Sequence, residues 1–420
     1  MENSKPVYFL KMNPPGWKHV SLAKLKAAAG ELLTAGISQR EDLLHLPWCQ
    51  KHEVLNALAL LKQERCWEQE VGVKPEDSCF TLIVPIHNEE NSLPSFLHTL
   101  MLSDIPAPVN MQVIFVTNAC ADNSFDMIRA FMTFLGEVEF QDVVDDFGDQ
   151  KMDRRYAVVR RGRHVYMHIN TSKPGKANAL TIGSRLALQS SHLIAICMDA
   201  NNFIEPDALR KLFAHAYRAF REKPEAGDTV LCGAQEIRHQ GSLNSSSETP
   251  LRVVSESQGH LVEGEEGVVN GWLLAWNTVW MNSIGGCPEV SLEDYALGVL
   301  ARANGFKIRM IEEVNGWGYV PDDVNGLVMT RARYVRGRQQ IFDYVQYDPS
   351  ILAVIQQEAF YMRKFPGRCK HLFVRSATSP LHLGRYMVTF LLWEYARWRG
   401  MRDYQRNPKN QSWDKVPSTY

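Results

Sequence analysis

Residues 193–209 read L-I-A-I-C-M-D-A-N-N-F-I-E-P-D-A-L, and the architecture of the chain follows from them. The apolar run from Leu193 to Met198 ends on Asp199, a polar turn follows, and Pro206 and Asp207 stand where a helix begins. An apolar run of this kind is a strand buried on both faces, as in a parallel sheet. Open α/β sheets place ligands outside the carboxyl ends of such strands, where Asp199 falls. Ordinary strand-to-helix turn chemistry is the plain alternative, and this stretch alone does not choose between them.

Working outward, the same unit recurs. Cys79 to Leu93 (C-F-T-L-I-V-P-I-H-N-E-E-N-S-L) is a buried strand, a turn over Pro85–Glu89 and a helix running to about Leu102. Met111–Thr117 is the next strand, followed by N-A-C-A-D-N-S and a helix from Phe125 to Leu135. Val165–Ile169 is a short strand, N-T-S-K-P-G-K a loop, and Ala177–Leu188 a helix. After Asp199 come a helix to about Phe220, then strands at Val230–Ile237 and Lys307–Ile311. Strands and helices alternating at this spacing form a mostly parallel α/β sheet with right-handed crossovers. Glu137–Arg163, acidic and then basic, fits no element, and polar Arg238–His260 reads as a mobile loop of functional length.

The flanks are expected to be helical. Residues 1–75 form an N-terminal extension with segments at Leu22–Thr34 and Trp48–Lys62, residues 76–345 the catalytic domain, and 346–420 a mainly helical C-terminal region. Charge is uneven: residues 301–420 hold 19 Lys/Arg against 10 Asp/Glu, in a chain whose net charge is −1. That balance argues against nucleic acid as a partner of the whole molecule. The basic C-terminal third is either a solvated face or a peripheral contact with an anionic membrane. Tyr386–Trp398, broken by Glu394 and Arg397, is too short to span a bilayer, which needs about 18 or more apolar residues. Eight scattered cysteines without a C-x-x-C pair, and no apolar leader, point to a cytoplasmic protein with reduced thiols.

Several residues carry chemistry on their own terms. Asp199 offers a hard oxygen donor of the kind that Mg²⁺ or Mn²⁺ takes. Lys173 and Lys176 precede a helix N-terminus, where a cation opposes the dipole unless an anion sits between, and a phosphate would supply it. Glu293-Asp294 is a carboxylate pair before a helix, although Ser291-x-x-Asp294 equally suits a helix cap. Arg331, Arg333, Arg336 and Arg338 crowd one short helix, which fits phosphate recognition or snorkelling surface arginines. Trp272, Trp276 and Trp280 offer aromatic faces that suit rings or apolar groups of a ligand, or form a core stripe at helical spacing. Asp122 is a ligand candidate or a helix-start residue. His371 and His382 are the histidines that could complete a metal site, and nothing selects one.

Taken in order, V-P-I-H-N-E-E, N-A-C-A-D-N-S, K-P-G-K-A-N-A-L, D-A-N, G-G-C-P-E-V-S-L-E-D and T-R-A-R-Y-V-R-G resemble the motifs of family 2 glycosyltransferases of GT-A fold, the last being similar to that of polysaccharide-synthase-like members. The resemblance covers roughly residues 79–340. It implies a nucleotide-diphosphate sugar donor, an acceptor hydroxyl and a single inverting displacement with Asp294 as general base beside Glu293. The nucleotide side would use Pro85, His87, Asn88 and Glu89 of the first turn, and Thr117, Asn118 and Asp122 of the second. Lys173, Gly175, Lys176, Asp199 and Ala200 would meet the ribose and diphosphate, with Arg331, Arg333 and Arg336. Asp199 and Asn201 would hold the metal, and Trp272, Trp276 and Tyr334 the acceptor. Where members carry Asp, Gln and Trp, this chain has Asn201, Thr330 and Tyr334, and an acidic pair is replaced by Thr117-Asn118. A nucleotidyltransferase on a similar sheet and a noncatalytic sugar-nucleotide-binding or scaffold protein are the alternative functions.

Overall fold

The computed structural model describes residues 48–142, 153, 155–234, 238–240, 271–314, 316–319, 324–345 and 380–408. In chain order the first half comprises α1 (Trp48–Val71), β1 (Cys79–Ile86), α2 (Leu93–Met101), β2 (Asn110–Asn118), α3 (Ser124–Leu135), β3 (Glu139–Asp142), β4 (Arg155–Arg161), β5 (His164–Thr171) and α4 (Lys176–Gln189). There follow β6 (Ile194–Met198), β7 (Asn202–Ile204), α5 (Ala208–Ala219), β8 (Thr229–Ala234), β9 (Arg238–Gln240), β10 (Leu273–Asn277), α6 (Thr278–Ser283), α7 (Glu293–Ala303), β11 (Lys307–Ile311) and β12 (Gly316–Tyr319). The helices α8 (Val324–Tyr344) and α9 (Pro380–Arg406) complete the described chain.

The main sheet has the order β11-β8-β10-β6-β1-β2-β5-β4-β3, and all its strands but β4 and β10 run the same way. This is the expected mixed α/β architecture, a mostly parallel sheet flanked by helices. A small second sheet, β7-β12-β9, lies apart from it. β1, β2 and β6 are apolar and almost wholly buried because helices cover both sheet faces. Pro85 is tolerated in a central strand because β6 pairs β1 only over Thr81–Ile83, so the missing N–H breaks no bond on that side.

Two features of this topology position the site. The chain lays β2 and β5 on one side of β1 and then β6 on the other, so strand order reverses between β6 and β1, and the carboxyl ends of such a pair are where open α/β sheets take ligands. The antiparallel β10 then starts where β6 ends, pairing Leu273 with Met198. Its preceding residues therefore stand beside Asp199, whose N–H donates to the Trp272 carbonyl at 3.1 Å.

The structure departs from several expectations. The unplaced Glu137–Arg163 contains β3 and β4, antiparallel strands at the sheet edge. The tryptophans do not share a helix: Trp272 lies in a turn, Trp276 in β10 and Trp280 in α6. The helix begun at Trp48 runs on to Val71, and its end belongs to the core. Trp67 is fully buried, stacks on Phe213 at 5.1 Å and donates its ring N–H to Ser78 Oγ at 2.9 Å. Arg210 on α5 binds Glu70 at 2.6 Å and also Asp104, tying α1 to the sheet layer. The expected helix at Leu22–Thr34, most of the loop Arg238–His260 and the histidines His371 and His382 fall outside the residues whose side chains are described. No helix among the described residues is long and apolar enough to cross a membrane.

Candidate active site

Helix α4 opens at Lys176, after Gly175 at φ 122°. The Lys176 side chain is only 6% exposed, and its ammonium lies 2.6 Å from Asp199 Oδ1, 3.1 Å from Glu293 Oε1 and 3.0 Å from the Gly271 carbonyl oxygen. A buried cation at a helix N-terminus opposes the dipole and needs compensation. Here the protein's own carboxylates supply the negative charge that the sequence had suggested a phosphate would bring. Burial works against the ammonium, but Asp199 and Glu293 outweigh it and hold its pKa well above the usual lysine value. Burial raises the Asp199 carboxyl, and Lys176 only partly reverses that.

Asp294 stands in the first turn of α7. Its Oδ2 accepts the Gly271 N–H at 2.8 Å and its Oδ1 the Tyr295 N–H at 2.7 Å. The cap suggested by Ser291-x-x-Asp294 does not form: the N-cap is Leu292, without a side-chain bond, and the Ser291 N–H donates to Gln340 Oε1. Residue 271 has to be glycine, since a Cβ there would meet Asp294 atoms at 2.8–3.0 Å. Burial, then the neighbouring Glu293, push the Asp294 carboxyl up to about 6, against the pull of Lys176 and the two backbone N–H groups. A carboxylate in that range is suited to general-base work near neutral pH.

Around this centre the loops after β1 and β2 interlock. His87 Nδ1 meets the Asn118 carbonyl at 2.6 Å, and Asn88, at φ 53°, accepts the Ala121 N–H through Oδ1 at 2.6 Å. Asp122 accepts the Glu90 and Ser124 N–H groups, each at 3.0 Å, which gives it the helix-start role. Glu89 is buried and accepts the Ser92 hydroxyl. Asn118 donates to the Gly175 carbonyl at 2.6 Å, and its buried Oδ1 accepts no hydrogen bond among the described residues.

Helix α8 closes one side. Gly337 lets it press on Leu292, and Gly400 of α9 lies against the Ala332 carbonyl on its other face. Arg333 is near enough to Asp199 to favour its ionised form. The Tyr334 ring lies 5.2 Å from the Arg331 guanidinium and 5.7 Å from that of Arg333. Arg336 and Arg338 are buried, the latter over the Tyr295 ring at 5.1 Å.

The geometry thus gathers Asp199, Lys176, Glu293 and Asp294, with Arg333 beside them. Lys173 stays at the rim, 33% exposed and 2.5 Å from Glu289. Thr117 is fully buried, its hydroxyl committed to His168, Ile169 and Asn170. Trp276 is fully buried with its ring N–H on Ser184 Oγ, and Trp272 packs against Gly316, so both sit in the interior. Pro85 and Ala200 are buried as well. Gly271 went unnoticed in the sequence, where a lone glycine before a strand gives no sign of its contact with a distant carboxylate.

Among the described residues, no group of three or more His, Cys, Asp or Glu is arranged to hold a metal ion. Asp199 Oδ1 is engaged by Lys176. Its other oxygen and the half-buried Asn201 remain as hard donors, which fit a divalent cation sharing its shell with phosphate oxygens.

No family model and no curated protein matches the chain. Among solved structures it is similar to a mannosyltransferase from Pyrobaculum calidifontis in complex with GDP-Man and Mn²⁺, with a TM-score of 0.48 and 17% identity over 93% of this chain and 99% of that one. It is also similar to S. aureus TarS 1–349, with a TM-score of 0.37 and 12% identity over 78% of this chain and 89% of that one. The TarS complex with UDP-GlcNAc gives 0.36 and 13%, over 78% and 90%.

Proposed function

We propose that this protein is an inverting glycosyltransferase that moves a sugar from a nucleoside-diphosphate donor to an acceptor hydroxyl. The observation that carries the proposal is a buried ammonium, Lys176, bound to both Asp199 and Glu293, with Asp294 next in the chain, at the carboxyl edge of the sheet where strand order reverses. Asp294 takes the acceptor proton as the acceptor oxygen bonds to the anomeric carbon. The bond from that carbon to the diphosphate breaks on the opposite face. Rim cations, Lys173 with Arg331 and Arg333, offset the charge on the departing group. Mg²⁺ or Mn²⁺, held by Asp199 and Asn201, would supply further charge neutralisation at the diphosphate. Tyr334, half-buried and flanked by two guanidiniums, is the ring we assign to the acceptor.

A noncatalytic sugar-nucleotide-binding protein is the second reading, favoured by the carboxylate partners that both lysines already have. Product analysis separates the cases. Transfer releases a nucleoside diphosphate, nucleotidyl transfer releases pyrophosphate, and pure binding releases neither. Titration with UDP-, GDP- and dTDP-sugars, with and without Mn²⁺, tests donor and metal together. Metal-independent affinity would remove the cation from the scheme. The acceptor side also includes a proposed peripheral contact with an anionic membrane: α9 carries five arginines against two acids and leaves Leu391, Tyr395 and Trp398 exposed.

A further inference from the structure

We infer that Lys176 is a positioning residue for the base rather than a ligand for the donor's phosphates. The inference builds on the function just proposed, but part of its test does not depend on it. An ammonium has three N–H donors, and among the described residues three oxygens already surround this one: Asp199 Oδ1, Glu293 Oε1 and the Gly271 carbonyl. A phosphate oxygen could join only by displacing one of them inside a region where the lysine is 6% exposed.

The third of those contacts gives the residue its role. Gly271 accepts from Lys176 through its carbonyl and donates through its N–H to Asp294 Oδ2 at 2.8 Å. Lys176 therefore fixes from one side the residue that orients the carboxylate from the other, and it holds Glu293, the neighbour of Asp294, at the same time. The absence of a side chain at 271 is what lets the two backbone groups approach so closely. Lys173, three residues earlier and 33% exposed at the rim, is the lysine free to exchange Glu289 for a diphosphate. The two lysines of K-P-G-K divide the work: one meets the donor, the other sets the base.

The test compares wild type with Lys176→Met and, in case the single change leaves too much buried negative charge to fold, with Lys176→Met/Glu293→Gln, which removes one charge of each sign. Hydrogen exchange is measured at the Gly271 and Tyr295 amides. Exchange at least tenfold faster in the variant, with β2 amides unchanged, is the expected result; unchanged exchange at 271 would overturn the inference whatever the protein's activity. Donor affinity and turnover are then measured with the probe that binds wild type best among UDP-glucose, UDP-N-acetylglucosamine, GDP-mannose and dTDP-glucose. The expected split is a Kd within threefold of wild type and a kcat at least a hundredfold lower. A Kd weakened tenfold or more would make Lys176 a donor ligand and refute the assignment. If no probe binds wild type, the glycosyl-transfer reading fails, and the exchange result still decides the positioning role.

Discussion

Asp294→Asn separates two effects that meet at one carboxylate. Its carboxyl is raised from 3.8 to about 6, chiefly by burial and then by Glu293. At about 1.4 kcal/mol per pKa unit, that difference corresponds to ~3 kcal/mol. The folded state binds this proton more tightly than the unfolded chain, so the contribution of Asp294 to wild-type stability is complete below about pH 4 and is lost as the pH rises through 6. The variant has no proton to lose, and its stability relative to wild type should therefore rise by ~3 kcal/mol between those pH values. The change also has a cost that does not depend on this titration. Both Asp294 oxygens accept backbone N–H groups, and an amide can serve only one of them, which costs about 1–3 kcal/mol. The diagnostic quantity is thus the slope of the stability difference with pH, not its value at any one pH. Urea unfolding of both proteins at several pH values from 4 to 8 measures it. Transfer should fall by roughly 10²–10⁴ in the same variant. A stability difference flat with pH would show that Asp294 titrates as an ordinary surface carboxylate, and the base assignment would go with it.

Gly271→Ala should abolish transfer and lower stability by about 1–3 kcal/mol, because the new methyl overlaps Asp294; wild-type activity in that variant would refute the packing described here. Trp276→Phe should reduce the urea midpoint while leaving the acceptor KM unchanged, since the ring is buried against Ser184; a selective rise in that KM would return Trp276 to the acceptor site. Full-length protein should co-float with vesicles containing anionic lipid, and replacing Leu391, Tyr395 and Trp398 by Ser should abolish this. Binding that survives the triple change would place any membrane contact elsewhere.

Much of the frame was legible because burial writes itself into sequence. β1, β2 and β6 are continuous apolar runs, α4 begins one residue before the expected Ala177, and α5 begins just after Pro206-Asp207. The edge strands β3 and β4 were not, because their exposed faces carry charge and leave no clear alternation. Trp272, Trp276 and Trp280 are core, as one of their two readings had it, but not as a helical stripe: the spacing of four runs across a turn, β10 and α6. The gathering of Asp199 and Glu293-Asp294 was suggested by motif order alone. What no local pattern could give was Lys176 as their shared counter-ion, since the partners come from the residue after β6, from α7 and from the turn before β10. Thr117 shows the converse. Its place at a strand's carboxyl end suggests a ligand contact, yet a neighbouring strand takes its hydroxyl.

The most direct measurement is product analysis with purified protein, a panel of nucleotide sugars, Mn²⁺ and a mixed set of saccharide and lipid acceptors. We predict release of a nucleoside diphosphate and a new glycoside whose anomeric configuration, read by NMR, is opposite to the donor's. Release of pyrophosphate, retention of configuration, or tight binding with no product at all would contradict glycosyl transfer by single displacement at this site.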